Sequence, residues 1–431
     1  MAMSSSNAGT HTNAGASSTN TSQEPQMAAS ASNAGTSGDS GVSDVGVNDA
    51  GISVGANIGD HPLAPMYTLI DTIQQETGYI RSMAAVHNWV LFTGSDNSLV
   101  RVWRKGHAFE HFSSSSGPIN SMLLQHLEAR IFCAHDDGAI TVWERITGGV
   151  FKKIKRLQTV SDFLHKSISF THDKAVSCLC LSGDGGEFIY SGSKDHTVKV
   201  WRIRGIGTWK LVETIRDHKG PIDALATHAS ALSSASSDGT MNLWIRELYG
   251  KKEDKVRHKL KRTCVFSGAV VNAINLDVDD FMYAGLSDGK VMSWSLYTVL
   301  MTKDDKPEIM SIHKAAVTCL ASLRFGPFVF SGSIDRTICV WRRQLVDRES
   351  FGPLHTIVMV LKGHSGPVRC IETDFDWEAD ATGARGWWVV YSASTDGVLK
   401  VWRVYDRPMP RQYVRKSEHR LQVELRRLRS I

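Results

Sequence analysis

Histidine, serine and aspartate recur together in this chain, and these residue types can form a nucleophilic triad in which the histidine takes the serine proton. Here the combination occurs four times, each with a tryptophan six residues after the aspartate. The sets are His172, Ser191, Asp195 and Trp201; His218, Ser234, Asp238 and Trp244; His313, Ser331, Asp335 and Trp341; and His364, Ser392, Asp396 and Trp402. An active site needs to occur only once, whereas buried polar groups need hydrogen-bond partners in every repeat. The recurrence therefore favours a structural role.

Other chemical motifs are absent from the sequence. It has no phosphate-binding loop of the G-x-x-x-x-G-K-[ST] type and no H-E-x-x-H motif. Cys178 and Cys180 form a C-x-C pair, but no second cysteine or histidine pair completes the spacing of a zinc site. We therefore predict a protein that is not an enzyme and that has no catalytic residue, no cofactor and no metal.

Seven segments of similar sequence carry these residues, and such internal repeats decide the fold. In each segment an Asp or Asn followed by Gly, Ser, His or Arg signals a tight turn, and a tryptophan ends the next strand. Apolar and polar residues alternate beside the turn, which is typical of β-strands. The segments are GSDNSLVRVW, AHDDGAITVW, GSKDHTVKVW, ASSDGTMNLW, GLSDGKVMSW, GSIDRTICVW and ASTDGVLKVW. An all-β chain is therefore predicted.

The arrangement resembles the WD-repeat family, in which the histidine, a serine or threonine, the turn aspartate and the tryptophan form a buried hydrogen-bonded tetrad. The resemblance implies a seven-bladed WD-repeat β-propeller over residues 61–406, whose last blade takes its outer strand from about 66–74. Three repeats depart from the pattern: Asn97 replaces the aspartate of the first, and Cys133 and Ala284 occupy the serine position of the second and fifth. These three also lack the upstream histidine, so we expect them to depend on the tryptophan and the turn alone.

One rim of the propeller is the expected binding face, because the innermost strands start there and the turns before the third strands lie beside them. The family resemblance places a partner peptide or protein on this rim. The alternative is that its residues are ordinary solvated turn residues. The candidate partner-binding residues are Arg81, Asn120, Ser177, Asp223, Asn272, Thr318 and Arg369 from the inner strands, with Asp136 and Lys194 from the turns.

The two ends of the chain differ from the repeats. Residues 1–60 lack Phe, Trp, Tyr, Lys and Arg and are rich in Ser, Ala, Asn and Gly, so we predict a disordered low-complexity tail. Residues 407–431 start with prolines and then place leucines at helical spacing among arginines, which predicts a basic tail or a short amphipathic helix. No signal-peptide pattern or membrane-spanning apolar run is present, and seven scattered cysteines suit a reducing compartment. We expect the protein to be located in the cytoplasm, the nucleus or both.

The repeat region is basic. Residues 1–60 hold five acidic and no basic residues, so the formal charge of +5 for the chain leaves +10 for the remainder. Two basic insertions, KKIKR at 152–156 and GKKEDKVRHKLKR at 250–262, contribute to this charge. Such runs can contact phosphates or can be solvated hairpins. Nucleic acid, in particular RNA, is therefore the alternative partner, although aromatic residues for base stacking do not alternate with these runs.

Four longer segments are similar to plant WD-repeat proteins of the Jingubang type, which in turn resemble the repeat domain of myosin heavy chain kinase B. They are RLQTVSDFLHKSI at 156–168, the sixth repeat at 316–343, LKGHSGPVRCIETDF at 361–375 and WVVYSASTDGVLKVWRV at 388–404. No kinase-like segment lies outside the repeats. The resemblance implies a monomeric, non-catalytic scaffold or adaptor for proteins or peptides, regulatory in signalling or transcription. A substrate receptor of a cullin-4 ubiquitin ligase would need W-D-x-R, and Trp201 is followed by Arg202.

Overall fold

The described residues fold almost entirely into β-strands, which form seven four-stranded sheets. The structure is a computed structural model and describes residues 66–405, except 75–77, 87–88, 115, 126–129, 147–150, 157–171, 184–185, 204–208, 251–254, 302–305, 324–325, 345–354 and 377–386. The predicted disordered tail at 1–60 and the predicted tail or helix at 407–431 lie outside the described residues.

The strands follow one another blade by blade, after β1 (Met66–Gln74). The first blade comprises β2 (Ile80–Val86), β3 (Val90–Ser95), β4 (Leu99–Arg104) and β5 (His107–Ser113). The second comprises β6 (Ile119–Gln125), β7 (Arg130–His135), β8 (Ile140–Arg145) and β9 (Phe151–Arg156). The third comprises β10 (Val176–Leu181), β11 (Phe188–Ser193), β12 (Val198–Ile203) and β13 (Trp209–Ile215). The fourth comprises β14 (Ile222–His228), β15 (Ala231–Ser236), β16 (Thr240–Tyr249) and β17 (Lys255–Val265).

The remaining blades repeat this order and include one short helix. The fifth comprises β18 (Val271–Leu276), β19 (Phe281–Leu286), β20 (Lys290–Ser295) and β21 (Glu308–Ser311), with α1 (Leu296–Met301) after β20. The sixth comprises β22 (Val317–Ser322), β23 (Phe328–Ser333), β24 (Ile338–Arg343) and β25 (His355–Leu361). The seventh comprises β26 (Val368–Phe375), β27 (Trp387–Ser394), β28 (Val398–Tyr405) and β1.

The innermost strands of the seven blades pack against one another in a closed ring, in which β26 of the last blade contacts β2 of the first. The outer edge of the last blade is covered by β1, which pairs with β28 from Met66 opposite Tyr405 to Gln74 opposite Val398. A strand from the start of the repeat region therefore completes the final sheet and joins the two ends of the ring, with β1 as its outer strand. The architecture confirms the predicted seven-bladed β-propeller.

The second strand of a blade is buried on both faces, because each sheet packs between two neighbours. Every residue of β7, β11, β15 and β23 is buried. Even polar side chains take part, since Ser191 on β11 is 0% exposed. Burial on both faces explains the near-continuous apolar runs of these strands and makes every polar group in them dependent on an internal partner.

The turn after the second strand has the same backbone conformation in all seven blades. The residue after the turn Asp or Asn has a positive φ in every case, and four of the seven are glycines. At Gly138 glycine is required for a second reason, because an added Cβ would lie 2.3 Å from the carbonyl oxygen of His172 in the next blade. Three blades place other residues in this left-handed conformation, which costs them free energy: Ser98, His196 and Arg336.

The described residues of the two basic runs lie mainly on outer strands, which corrects the expectation of insertions at 152–156 and 250–262, of which 251–254 lie outside the described residues. KKIKR forms most of β9, the outer strand of the second blade. Residues 255–262 belong to β17, the outer strand of the fourth blade, which pairs with β16 from Tyr249 opposite Lys255 onwards. The basic side chains alternate along β17 because a strand presents every second residue to the same side, and Lys255, Arg257, Lys259 and Lys261 are all exposed.

Candidate functional site

The predicted tetrads form chains of hydrogen bonds, most completely in the third blade. Trp201 Nε1 donates to Ser191 Oγ at 3.0 Å, and Ser191 Oγ lies 2.7 Å from His172 Nε2. His172 Nδ1 lies 2.8 Å from Asp195 Oδ2. The sixth blade repeats the geometry, with 3.0 Å from Trp341 to Ser331, 2.8 Å from Ser331 to His313 and 3.0 Å from His313 to Asp335. The chain links the strand core to the turn.

The donors in such a chain point in one direction. The indole N–H donates to the serine oxygen, the serine hydroxyl donates to His Nε2, and a proton on Nδ1 donates to the aspartate. This order requires a neutral imidazole, and burial lowers the pKa of His172 accordingly. Burial alone would oppose ionisation of Asp195, but its hydrogen bonds to His172 and Thr197 outweigh that effect and lower its pKa. The network therefore holds a neutral histidine against an ionised aspartate.

These sets cannot act as nucleophilic triads, although they contain the same residue types. Ser191, Ser234, Ser331 and Ser392 are all 0% exposed. Each hydroxyl also accepts the indole N–H of its own tryptophan. A substrate has no access to a hydroxyl in that position, so the geometry supports a structural role for all four sets.

Two of the four sets are looser at the histidine–aspartate link. In the fourth blade His218 Nδ1 bonds to Thr240 Oγ1 at 3.0 Å and lies 3.4 Å from the Asp238 carboxylate. In the seventh blade His364 Nδ1 lies 3.6 Å from Asp396 and has no hydrogen-bond partner among the described residues. The serine and tryptophan links are intact in both blades.

The second blade has a histidine network that the sequence analysis missed. His135, on β7, lies 2.9 Å from Thr141 Oγ1, which accepts the Trp143 indole N–H at 3.1 Å. His135 Nδ1 lies 3.1 Å from the Gly117 carbonyl oxygen. The expectation that this blade depends on its tryptophan and turn alone was therefore wrong. The available signal was AHDDG, in which histidine stands where most repeats have serine.

The first and fifth blades keep less of the network. In the first blade Trp103 Nε1 donates to Thr93 Oγ1 at 2.9 Å, so the serine-or-threonine position is filled. In the fifth blade that position is Ala284, which has no side-chain acceptor. These two blades therefore depend more on apolar packing than the third and sixth do.

The candidate rim is formed where the inner strands begin beside the turns. Backbone bonds join the two features in six blades, as where Lys194 N donates to the Ala175 carbonyl at 2.9 Å and Thr395 N to the Pro367 carbonyl at 3.0 Å. The predicted rim residues from strand starts and turns therefore share one face of the ring.

Most of the predicted rim side chains link one blade to the next or to their own turn. Arg81 Nη1 donates to Asn120 Oδ1 at 2.8 Å, and Asn120 donates to Asp136 at 2.8 Å and to the Val176 carbonyl at 3.0 Å. The carbonyls that accept from Asn272 and Thr318 belong to the next blade in each case. Asp223 accepts from Ser237 at 2.5 Å, and burial raises the pKa of Asp223.

Two predicted rim residues have side chains that are available to a partner. The side chains of Arg369 and Lys194 are exposed and make no hydrogen bond or ion pair to other described residues. Ser177 lies at the equivalent strand position of the third blade, and its buried hydroxyl has no hydrogen-bond partner among the described residues. Asp136 is also exposed, with 43% of its side chain accessible, but it faces Arg81 at 3.7 Å. The free polar capacity of the rim is therefore concentrated in a few positions.

Within the described part of the chain, no three His, Cys, Asp or Glu side chains are grouped as metal ligands. Nor does any helix there have the length and apolarity needed to cross a membrane. The thiols of Cys133 and Cys319 are protonated at neutral pH, because burial raises the pKa of each to about 12. These thiols behave as small apolar groups and not as nucleophiles.

Comparison with known proteins agrees with this geometry. The WD40 family, described as WD domain, G-beta repeat, matches residues 165–202, 307–342 and 355–403, which contain the tetrads of the third, sixth and seventh blades. The chain is 26% identical over 248 residues to Protein ROOT INITIATION DEFECTIVE 3 of Arabidopsis thaliana, covering 54% of this chain and 50% of that protein. It is 29% identical over 176 residues to the small ribosomal subunit protein RACK1y of Oryza sativa subsp. japonica, covering 40% and 48%.

A third relative extends the match along more of the chain. Autophagy-related protein 16 of Arabidopsis thaliana is 22% identical over 284 residues, which covers 64% of this chain and 49% of that protein. The chain thus spans about half the length of the curated relatives that it matches.

Proposed function

We propose that this seven-bladed β-propeller, three of whose blades match the WD40 family, works as a non-catalytic interaction scaffold or adaptor that binds a protein or peptide on the rim. The observation that carries the proposal is the contrast between rim side chains that are hydrogen-bonded within the ring and rim side chains that are not. Arg81, Asn120 and Thr318 are used inside the ring, whereas Arg369 and Lys194 are exposed without partners among the described residues. Arginine is a frequent anchor in protein interfaces.

The finer assignments belong to the same proposal. We propose a regulatory adaptor of the Jingubang type, monomeric and located in the cytoplasm or the nucleus. The similarity of 156–168, 316–343, 361–375 and 388–404 supports this assignment, and the last two segments include Arg369 and its neighbouring turn.

The test is a capture experiment with the full chain in nuclease-treated lysate, read by mass spectrometry. Wild type is compared with Arg369→Glu and with Lys261→Glu, a matched charge reversal on the exposed side of β17. We expect specific proteins that survive nuclease, are lost with Arg369→Glu and are kept with Lys261→Glu. Equal capture by wild type and Arg369→Glu would contradict rim binding.

Nucleic acid is the second candidate, and the exposed basic row on β17 is the observation that favours it. Lys255, Arg257 and Lys261 make no ion pair with other described residues, although Lys259 pairs with Glu247 at 2.8 Å. Binding through these side chains would weaken steeply with salt, because each phosphate contact releases counterions. Salt-dependent RNA binding that is lost with Lys261→Glu and kept with Arg369→Glu would support this candidate over the first.

A further inference from the structure

The outer junctions between blades use equivalent positions that can be compared directly. Strand register defines three such positions. The first precedes the serine-or-threonine site of the tetrad on the second strand of a blade, and the second is a glutamate on the outer strand of the same blade. The third lies on the outer strand of the next blade. Tyr190, Glu213 and His258 hold these positions between blades three and four. Tyr283, Glu308 and His355 hold them between blades five and six.

At those two junctions the positions form a filled and paired network. Tyr190 OH lies 3.2 Å from His258 Nε2, and His258 Nδ1 lies 2.6 Å from Glu213 Oε2. The corresponding distances are 2.9 Å and 2.7 Å for Tyr283, His355 and Glu308. A phenylalanine two residues before each tyrosine adds a ring, which lies under an arginine of the next blade, as with Arg246 at 4.6 Å from the Phe188 centroid. At both junctions the glutamate thus accepts a hydrogen bond from a histidine, and a phenylalanine ring fills the space beside it.

The junction between blades one and two lacks both features. Phe92 and Phe151 stand at the tyrosine and histidine positions, and Val90 stands where the other two junctions have a phenylalanine. Glu110 keeps only a 3.4 Å bond from the Phe151 backbone N–H, so one carboxylate oxygen has no partner among the described residues. A cavity of about 200 Å³ results, lined by Val90, Phe92, Phe109, Glu110 and Phe151, among others. Phe109 is 58% exposed at its edge.

The contents of the other junctions indicate what this cavity accepts. A ligand with an aromatic ring would fill the space that a phenylalanine occupies at the other junctions and that Val90 leaves open. An N–H donor on the ligand would take the place of the histidine that pairs with the glutamate at those junctions. The volume exceeds the roughly 150 Å³ that accommodates a benzene ring. Arg104 and Arg145 also line the cavity and are exposed, so their positive charge disfavours a cationic ligand and favours acidic neighbours.

The ends of this chain do not supply such a group. Residues 1–65 contain no Phe, Trp or Tyr, and residues 407–431 offer Tyr413 within a strongly basic segment that the two arginines would repel. We propose that the cavity between blades one and two is a docking site for a partner segment that inserts a tryptophan side chain flanked by acidic residues. The indole ring fills the space beside Val90, and its N–H donates to Glu110. This site is on the outer side of the propeller and is independent of the rim.

The test measures fluorescence anisotropy of a fluorescein-labelled Glu-Glu-Asp-Trp-Asp-Glu-Glu peptide on titration with the full chain. We expect saturable binding that weakens about tenfold or more when the peptide tryptophan becomes alanine, as for an interface anchor. Val90→Phe supplies the ring found at the other junctions and should weaken binding by a similar factor of about ten. Its melting temperature should equal or exceed that of wild type, because the ring fills a cavity.

The hydrogen bond is tested separately from the ring. Glu110→Met and a peptide with 1-methyltryptophan should each weaken binding about threefold to tenfold, and together no more than either alone, since both remove the same hydrogen bond. Arg257→Gln on the distant β17 serves as a control and should bind like wild type. Absence of saturable binding, equal binding of the alanine peptide or unchanged binding by folded Val90→Phe would overturn the proposal. Binding of N-acetyltryptophanamide as tight as that of the peptide would show a small-molecule site instead.

Discussion

The sixth and seventh blades contain the same four tetrad residue types, yet only the sixth closes the chain of hydrogen bonds. His313 Nδ1 lies 3.0 Å from Asp335, whereas His364 Nδ1 lies 3.6 Å from Asp396 and lacks a hydrogen-bond partner among the described residues. The tryptophan and serine links are equivalent in the two blades. The four residues are therefore not sufficient for closure.

Two neighbouring residues distinguish the seventh blade from the sixth. Thr337 in the sixth blade donates its hydroxyl to Asp335 Oδ1 at 2.6 Å, and the third and fourth blades have the same threonine contact. The fourth blade is nevertheless loose, with 3.4 Å between His218 and Asp238, so the threonine holds the carboxylate without closing the link by itself. The seventh blade has Val398 at this position, which has no hydroxyl to hold the carboxylate. Ser365 competes for the other oxygen, since its backbone N–H and its hydroxyl both bond to Asp396 Oδ2. The aspartate of the seventh blade is thus held by the loop and not by the histidine.

Of the changes considered, acid should have the largest effect on stability, and it should disrupt the closed and the open networks alike. Burial lowers the pKa of His172, His218 and His364, so the folded state resists their protonation and the unfolded chain binds more protons. The contribution of these histidines to the free energy of unfolding is then fully present above pH 6.5. It falls as the pH drops below 6.5, by up to about 1.4 kcal/mol per pH unit for each histidine. A second loss follows below about pH 4, where the aspartates of unfolded chains take up protons. Urea unfolding from pH 8 to pH 3 measures both, and a flat profile between pH 7 and 5 would contradict the neutral-histidine network.

Asp335→Ala breaks the closed network of the sixth blade. It leaves His313 Nδ1 and nearby donors without an acceptor, which should cost about 1–3 kcal/mol of unfolding free energy. Asp288→Ala is the matched control, because Asp288 is the turn aspartate of the fifth blade and pairs with Lys290 at 2.5 Å instead of a histidine. We expect less than about 0.5 kcal/mol there. An unchanged melting temperature for Asp335→Ala would refute the tetrad assignment.

Exchanging the threonine and the valine sharpens the comparison in both directions. Thr337→Val should cost about 1 kcal/mol by removing a hydroxyl from Asp335. Val398→Thr supplies that hydroxyl to Asp396 and should raise the unfolding free energy by about 0.5–1 kcal/mol. Denaturant unfolding measures both variants. If both substitutions shifted stability in the same direction, the explanation for the open link would be wrong.

Arg336→Gly relieves the backbone of the sixth-blade turn and has the smallest expected effect. Arg336 has a φ of 71°, whereas the seventh blade already has Gly397 at the equivalent position, with a φ of 78°. The substitution should stabilise the protein by up to about 1 kcal/mol, because glycine adopts this conformation without steric cost. Arg336→Ala retains a Cβ and should give no such gain, and equal melting temperatures of the two variants would argue against strain at this turn.

Features that repeat in the sequence could be predicted, because each blade imposes the same demands on its residues. The turn signal and the tryptophan defined seven blades, and the fold agrees. Substitutions within the repeats were harder to interpret. His135 replaces a serine in the second blade and forms a network from the opposite side, which a search for upstream histidines does not detect. Val90 is an ordinary strand residue until strand register shows that its position is equivalent to those of Phe188 and Phe281 in other blades.

The basic runs show a different limit. Charge in 152–156 and 250–262 suggested insertions, yet outer strands need an apolar pattern on one side only, so lysines and arginines are compatible with β9 and β17. Contacts between blades were also not predictable, because Asn120 and Thr318 bond to carbonyl oxygens of residues distant in sequence. For the rim, the sequence indicated the positions. The structure was needed to distinguish side chains that are hydrogen-bonded within the ring from the exposed Arg369.

The central claim is that buried tetrads hold the blades while the rim binds the partner, and one paired measurement tests it. Melting temperature and partner capture are determined on the same preparations of wild type, Asp335→Ala and Arg369→Glu. We predict that Asp335→Ala lowers the melting temperature and leaves capture per folded molecule unchanged, whereas Arg369→Glu leaves the melting temperature unchanged and abolishes capture. Loss of capture in folded Asp335→Ala together with full capture by Arg369→Glu would contradict the account.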